Sequence, residues 1–160
     1  MTGVKSKLAY VEAEVKKNNL IAAQLAPQVA IAVFDLNDLK VINDRMGHEV
    51  GDQYIVRASR LIGEHFSHSP VFRIGGDEFA VLLEGMDYQE RYALGIEFNR
   101  KVDAFGEGDS EEEGRLIIAM GMADYDAERD SDFNQVFERA DRQMYQRKRE
   151  LKDRKKSSSN

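Results

Sequence analysis

The sequence predicts an α+β fold of the ferredoxin-like kind, in which a βαββαβ core forms an antiparallel central sheet and an extra helix lies at each end of the chain. Three observations predict this fold. Val29–Phe34 is a continuous apolar run rich in β-branched residues, as in a buried central strand. Gly75-Gly76 separates two short β-type runs, which is typical of a hairpin. Segments with apolar residues at helical spacing alternate with these strands.

Each predicted element has a sequence signal of its own. Pro27 ends the first helix, because proline cannot continue one, and Asp52 is well placed as the N-cap of a long amphipathic helix. Gly75 and Gly76 tolerate the positive φ angles that a tight hairpin turn demands. In chain order the predicted elements are a helix over Lys7–Leu25, a strand over Val29–Phe34, a short helix or turn over Asn37–Arg45, a helix opening at Gly51-Asp52, strands over Val71–Ile74 and Glu78–Leu83, a helix over Tyr88–Phe105, a strand over Arg115–Tyr125 and a final helix from Asp132 to about Leu151.

Composition narrows the class of protein. Of the 160 residues, 42% are hydrophobic and 32% are charged, as expected of a globular domain with a core of its own. The absence of cysteine excludes disulfides and thiolate metal sites, and no apolar run approaches the length of a membrane span. The net charge of −6 argues against a general nucleic-acid binder. We therefore expect a cytoplasmic domain that contacts neither nucleic acid nor membrane, although its parent protein could be membrane-anchored.

Three acidic residues form the candidate site. Asp35 follows the buried strand, and Asp77 and Glu78 lie in the central hairpin. In the predicted topology the end of the first strand lies beside that hairpin, so the three carboxylates should meet. Their mutual repulsion favours a bound cation, and Mg²⁺ (or Mn²⁺) takes one or two carboxylates together with substrate phosphates. The alternative is that these acids only make the turn soluble.

Other kinds of site lack the residues they need. DLNDLK begins like a calcium loop, but Leu39 and Lys40 stand where a ligand oxygen and a glycine are required. Neither a P-loop nor a G-x-S-x-G motif occurs. The histidines, which are His48, His65 and His68, do not pair at zinc-site spacing.

Asn43 and Asp52 are candidates for reading a purine. A carboxylate that accepts two N–H bonds matches guanine N1–H and its amino group, and an Asn side chain both donates and accepts. For Asp52, capping the following helix explains the residue equally well.

The segments DLNDLKVINDRMGHEVGD and RIGGDEF closely resemble the GGDEF family of diguanylate cyclases, bacterial enzymes that join two GTP into cyclic di-GMP. TGVKSKLAY and ADRQMYQRK are also similar to the start and the end of that family, so the resemblance spans essentially the whole chain. It implies a nucleotide-cyclase or palm-like form of the predicted fold. Because Met1 precedes Thr2 where the family usually has Asp-x-Leu-Thr-Gly, we expect one domain over 1–156, excised from a longer protein with an upstream sensor or receiver domain, and a disordered tail over 157–160.

The resemblance implies a role for each matching residue. The metal ligands are Asp35, the Leu36 carbonyl, Asp77 and Glu78. The catalytic residues are Asp77, Glu78 and Lys40. The substrate-binding residues are Asn43, His48, Asp52, Gly75, Gly76, Lys148 and Lys152. It also implies that GTP is the substrate and that two domains must pair as a homodimer, since each GTP supplies both nucleophile and electrophile.

Several positions depart from the family pattern. Phe66-Ser67-His68-Ser69 stands where many relatives carry an inhibitory Arg-x-x-Asp site, so product inhibition through it is not expected. Asn37 replaces the second acid of an Asp-x-Asp start, Leu151-Lys152-Asp153 replaces Gly-Arg-Asn, and Ala119-Met120-Gly121 replaces Ser-x-Gly. None of these changes affects the metal acids. An active cyclase is our main hypothesis; a catalytically silent GTP-binding regulatory module and a purely structural dimerisation domain are the alternatives.

Overall fold

A computed structural model of the chain describes residues 3–106 and 116–158, with side chains for 3–104 and 116–154. In chain order the elements of these residues are α1 (Lys7–Ala22), β1 (Ala30–Leu36), α2 (Leu39–Met46), α3 (His48–His65), β2 (Val71–Arg73), β3 (Glu78–Leu83), α4 (Gly85–Gln89), α5 (Arg91–Gly106), β4 (Ile118–Asp124) and α6 (Phe133–Ser158). Within the described ranges, every helix is too short or too polar to cross a membrane.

The four strands form one antiparallel sheet in the order β2-β3-β1-β4. β1 is buried along its whole length, and it pairs with β3 on one side and β4 on the other. The predicted ferredoxin-like order and antiparallel central sheet are confirmed. Because β1 is a central strand, the residues at its C-terminal end lie between β3 and β4.

Helices cover both faces of the sheet. Side chains alternate along β1, so successive residues of this strand face opposite helix layers. Ala30, Ala32 and Phe34 face a core that includes residues of α3 and α5. Ile31 and Val33 face a second core, formed with α1 and α6. Helices on both faces explain why β1 is apolar from Ala30 to Phe34 and does not alternate with polar residues before it reaches Asp35.

The start of α3 differs from the prediction. The helix begins at His48, and Gly47 precedes it with φ +89°, a left-handed conformation that suits glycine. Asp52 therefore lies inside α3, exposed, and the interpretation of Asp52 as an N-cap was wrong. The short segment before it is a helix, α2, which Asp38 opens with φ +64°.

Other boundaries also shift. The predicted helix over Tyr88–Phe105 is divided at Glu90 into α4 and α5, and α6 continues well beyond Leu151. β4 begins at Ile118, and the predicted strand start at Arg115 lies outside the described residues. Gly75 and Gly76 do not adopt positive φ, so the expected conformational reason for that glycine pair was wrong.

Close packing of α6 on β4 depends on Gly121. A Cβ at this position would collide with the backbone of α6, at Ala140 O, Met144 N and, 2.9 Å away, Gln143 C. Backbone atoms of a packed helix cannot move aside as a side-chain end can. The missing Cβ thus lets α6, which carries Lys148, lie directly on the sheet.

Gly121→Ala should destabilise the domain by about 1–3 kcal/mol, the usual cost of forcing an extra methyl group into a packed interior. Thermal and urea unfolding measure it. Gly63→Ala is the matched control, because a Cβ at Gly63 in α3 meets nothing within 4 Å. Equal stability of Gly121→Ala and the unaltered domain would contradict this account of the α6 contact.

Candidate active site

Three carboxylates meet at the end of the central strand. The β1–β3 register places Asp35 opposite Glu78, and the Leu36 amide donates a hydrogen bond of 2.9 Å to the Asp77 carbonyl. One carboxylate oxygen from each of Asp35, Asp77 and Glu78 lies within 4.8 Å of the others. The adjacency predicted from the order of the elements is confirmed.

One oxygen of this cluster has no partner. Asp35 is only 4% exposed, and its Oδ1 atom accepts no hydrogen bond from any residue that the structure describes. Its Oδ2 atom lies 3.4 Å from Lys148 Nζ, on α6. A buried carboxylate oxygen without a donor is costly, and a cation held by hard oxygen ligands relieves that cost. The donor set therefore fits a divalent metal ion.

The electrostatics of the cluster favour extra positive charge. Burial raises the pKa of Asp35; the Lys148 ammonium lowers it in part, and the Asp77 carboxylate raises it again. Burial also raises the pKa of Glu78, and the neighbouring carboxylates of Asp35, Asp77 and Asp141 add to that rise. Lys148 thus compensates only part of the negative charge gathered here.

Arg73 holds the hairpin that carries two of the acids. Its Nη2 donates to the Gly76 carbonyl at 2.8 Å and its Nε to the Gly75 carbonyl at 3.3 Å. A Cβ on Gly76 would meet nothing within 4 Å, so this backbone borders open space into which a substrate could approach. Sequence reasoning missed Arg73, because a cation before a glycine pair gives no sign that its partners are the turn's own carbonyls.

Tyr54 of α3 is hydrogen-bonded to the main chain just before β4. Its hydroxyl accepts a hydrogen bond from the Ile117 amide at 2.9 Å and lies 3.1 Å from the Ile117 carbonyl. The Asn37 amide donates to the same Ile117 carbonyl at 2.9 Å. Burial raises the pKa of Tyr54 to about 12, so the hydroxyl keeps its proton at neutral pH. An aromatic residue on an amphipathic helix gives no sign of such a hydrogen bond, so this polar role was also missed.

The remaining predicted residues lie on α2, α3 and α6. Asn43 of α2 is half-buried, and its side chain lies against the backbone of Gly51 in α3, next to Asp52. Lys40, at the start of α2, and His48, the first residue of α3, are exposed. Lys152 is exposed on α6, close enough for its charge to lower the pKa of Asp35. The predicted roles of all these residues stay predictions.

The segment Phe66-Ser67-His68-Ser69, where the Arg-x-x-Asp motif was not expected to act, is bound by an acid of the domain itself. The His68 amide and the Ser69 hydroxyl both donate to Asp87 Oδ2, at 3.1 Å and 2.6 Å. Asp87 is buried, at 4% exposure. This segment is therefore tied to an acid of α4.

Asp35→Asn should stabilise the domain in the absence of divalent ions. An acid whose pKa is raised by folding binds its proton more tightly in the fold than in the unfolded chain, so its ionisation lowers stability as pH rises through the folded pKa. Removing that charge should raise the melting temperature by a few degrees at about pH 8 in EDTA. The gain should shrink as the pH falls toward the usual range of carboxyl pKa values.

In the same experiment, added Mg²⁺ should raise the melting temperature of the unaltered domain and leave that of Asp35→Asn unchanged. Asp153→Asn, which removes an exposed acid of α6, is the control and should behave like the unaltered domain. A lower melting temperature for Asp35→Asn in EDTA would mean that the Lys148 contact outweighs the burial cost.

Known proteins resemble the whole chain in sequence. A family model described as the GGDEF domain of diguanylate cyclases matches residues 1–154. Diguanylate cyclase DgcS of Shewanella oneidensis is 31% identical over 150 residues, which are 92% of this chain and 48% of DgcS. The probable diguanylate cyclase DgcT of Escherichia coli is 30% identical over 131 residues, or 79% of this chain and 28% of DgcT. The chain thus spans about half of DgcS and less of DgcT.

Solved structures resemble the fold. The active GGEEF domain of a diguanylate cyclase from Vibrio cholerae superposes with a TM-score of 0.73 at 22% identity, covering 92% of each chain. The GGDEF domain of TpbB (YfiN) from Pseudomonas aeruginosa gives a TM-score of 0.68 at 27% identity, covering 94% of this chain and 93% of that one. With a family model that matches nearly its whole length, the chain belongs to the GGDEF domain family of diguanylate cyclases.

Proposed function

We propose that this domain is a diguanylate cyclase, which condenses two GTP into cyclic di-GMP and releases two pyrophosphates. The observation that carries the proposal is that carboxylate oxygens of Asp35, Asp77 and Glu78 lie within 4.8 Å of one another, and that Oδ1 of the buried Asp35 has no hydrogen-bond partner in the described part of the chain. A solubilising role for these acids would leave them at the surface, whereas Asp35 is almost fully buried.

Asp35, Asp77, Glu78 and the Leu36 carbonyl are the groups that we expect to hold Mg²⁺ or Mn²⁺. When bound, such an ion lowers the pKa of a hydroxyl and neutralises charge that develops on phosphate oxygens. The Lys148 ammonium lies 3.4 Å from the Asp35 carboxylate, where it can bind the substrate's phosphates. We assign the activation of the attacking hydroxyl to Asp77 and Glu78. Lys40 and Lys152 supply further positive charge toward the triphosphate.

We assign recognition of the guanine base to residues of helices α2 and α3. Asp52 is exposed and not engaged as an N-cap, so its carboxylate is available to accept the two N–H groups of guanine. Asn43 and His48 complete this end of the pocket. Because Gly75 and Gly76 have no side chains, the substrate can approach the backbone of the hairpin closely.

The reaction needs two domains. The 3′-oxygen of each GTP forms a bond to the α-phosphorus of the other, the bond from that phosphorus to pyrophosphate breaks, and the hydroxyl proton leaves to a base or water. Because each GTP is attacked and attacks in turn, two identical sites must face each other about a two-fold axis. The functional unit we propose is therefore a homodimer of GTP-loaded domains.

Incubation of concentrated protein with GTP and Mg²⁺ should give cyclic di-GMP, detected by mass spectrometry. Asp77→Ala should lower the rate by at least about two to three orders of magnitude, as does the loss of one group that stabilises developing charge. Glu97→Gln, which changes an exposed acid of α5, is the control and should keep the full rate. GTP binding with no product in the unaltered domain, even when two copies are fused, would favour the silent regulatory module.

The rate per domain should rise in proportion to protein concentration while the dimer is sparse, because only paired domains react. The affinity for GTP should not change over the same range, since each domain binds its own nucleotide. Turnover assays and calorimetry over a dilution series measure the two quantities. A rate per domain that is independent of concentration, in a sample that sedimentation identifies as monomeric, would contradict the paired mechanism.

A further inference from the structure

We propose that Gly51 is a positioning residue for base recognition, because its missing Cβ provides the space in which the Asn43 amide lies. This inference rests on the proposed function, in which Asn43 contacts guanine. It adds to that function a residue with no hydrogen-bonding side chain, and it accounts for a glycine in the interior of a helix.

The contact between the two residues is very close. A Cβ at Gly51 would fall on Asn43 Oδ1 and lie 2.9 Å from Asn43 Cγ and 3.5 Å from Nδ2. Gly51 is buried and Asn43 half-buried, so the amide group covers the glycine backbone. No residue other than glycine leaves room at this position for the Asn43 side chain in its present conformation.

The helix junction keeps the two residues facing each other. The Gly47 amide donates to the Asn43 carbonyl at 3.0 Å, and the Gly51 amide donates to the Gly47 carbonyl at 3.2 Å. Asn43 is thus one turn before the junction and Gly51 one turn after it. The Asn43 amide is held beside the residue that directly precedes Asp52, so the spacing of the two proposed base-reading groups depends on this contact.

Glycine here costs helix stability, because it is a poorer helix former than alanine. Gly51 lies inside α3, where its backbone conformation is not left-handed and gives no reason for glycine. The space taken by Asn43 is a sufficient reason. The three atoms nearest to a new Cβ all belong to the Asn43 side chain, so an alanine should rotate that amide away and leave the helices in place.

The test is a binding experiment on Gly51→Ala with two probes. In the presence of Mg²⁺, the affinity for GTP should fall about tenfold, the value of one hydrogen bond. The affinity for inorganic tripolyphosphate should not change, since the acid cluster and Lys148 are untouched. Gly63→Ala, a second glycine of the same helix with open space around it, should match the unaltered domain with both probes. A melting curve confirms that each variant is folded.

A double variant separates positioning from general damage. Asn43→Ala should weaken GTP binding to a similar extent, and Gly51→Ala added to it should cause no further loss, because the side chain that needed the space is gone. Equal GTP affinity in Gly51→Ala and the unaltered domain, or losses that multiply in the double variant, would overturn the inference alone. An unaltered domain that does not bind GTP would overturn the proposed function and this inference with it.

Discussion

The crowding of negative charge at the end of β1 is the constraint that organises this domain. Asp35 is paired in register with Glu78, so the backbones of the two acids cannot separate without breaking the central β1–β3 ladder. Burial and repulsion both raise the pKa of these acids, and Lys148 offsets only part of the effect. The end of the sheet therefore gathers negative charge that Lys148 compensates only in part, an arrangement that costs the fold stability. Such a cost is common where a fold serves a reaction.

Glycines support the site in different ways, and only one of them does so through backbone conformation. Gly47 needs a left-handed φ to join α2 to α3. Gly121 leaves space for the backbone of a helix, and Gly51 leaves space for a side-chain amide. In the last two cases the requirement comes from a distant part of the chain or from a neighbouring helix. A glycine's local sequence gives no indication of such a neighbour.

The parts of the site that follow from strand order were predictable from the sequence, and those that follow from packing were not. The apolar run before Asp35 and the order of the strands were enough to bring Asp35 to the hairpin acids. The start of α3 was misplaced, because Asp52 looks like a cap until the left-handed Gly47 is known. Arg73 and Tyr54 were missed because both bind main-chain groups, which every residue possesses and no motif marks.

The two ends of the proposed substrate pocket lie on different elements, and Tyr54 connects them. Asp35 belongs to β1, Glu78 to β3 and Asp77 to the turn just before β3, whereas Asp52 lies on α3, two residues before Tyr54. The Tyr54 hydroxyl is hydrogen-bonded to Ile117, the residue before β4, and the Ile117 carbonyl also accepts a hydrogen bond from the amide of Asn37, just beyond the end of β1. A shift of α3 along the sheet would break the hydrogen bonds of the buried Tyr54 hydroxyl, and unpaired polar groups in a buried place are costly. Tyr54 therefore helps to hold α3, with the proposed base-reading residue Asp52, in place relative to the sheet that carries the acids.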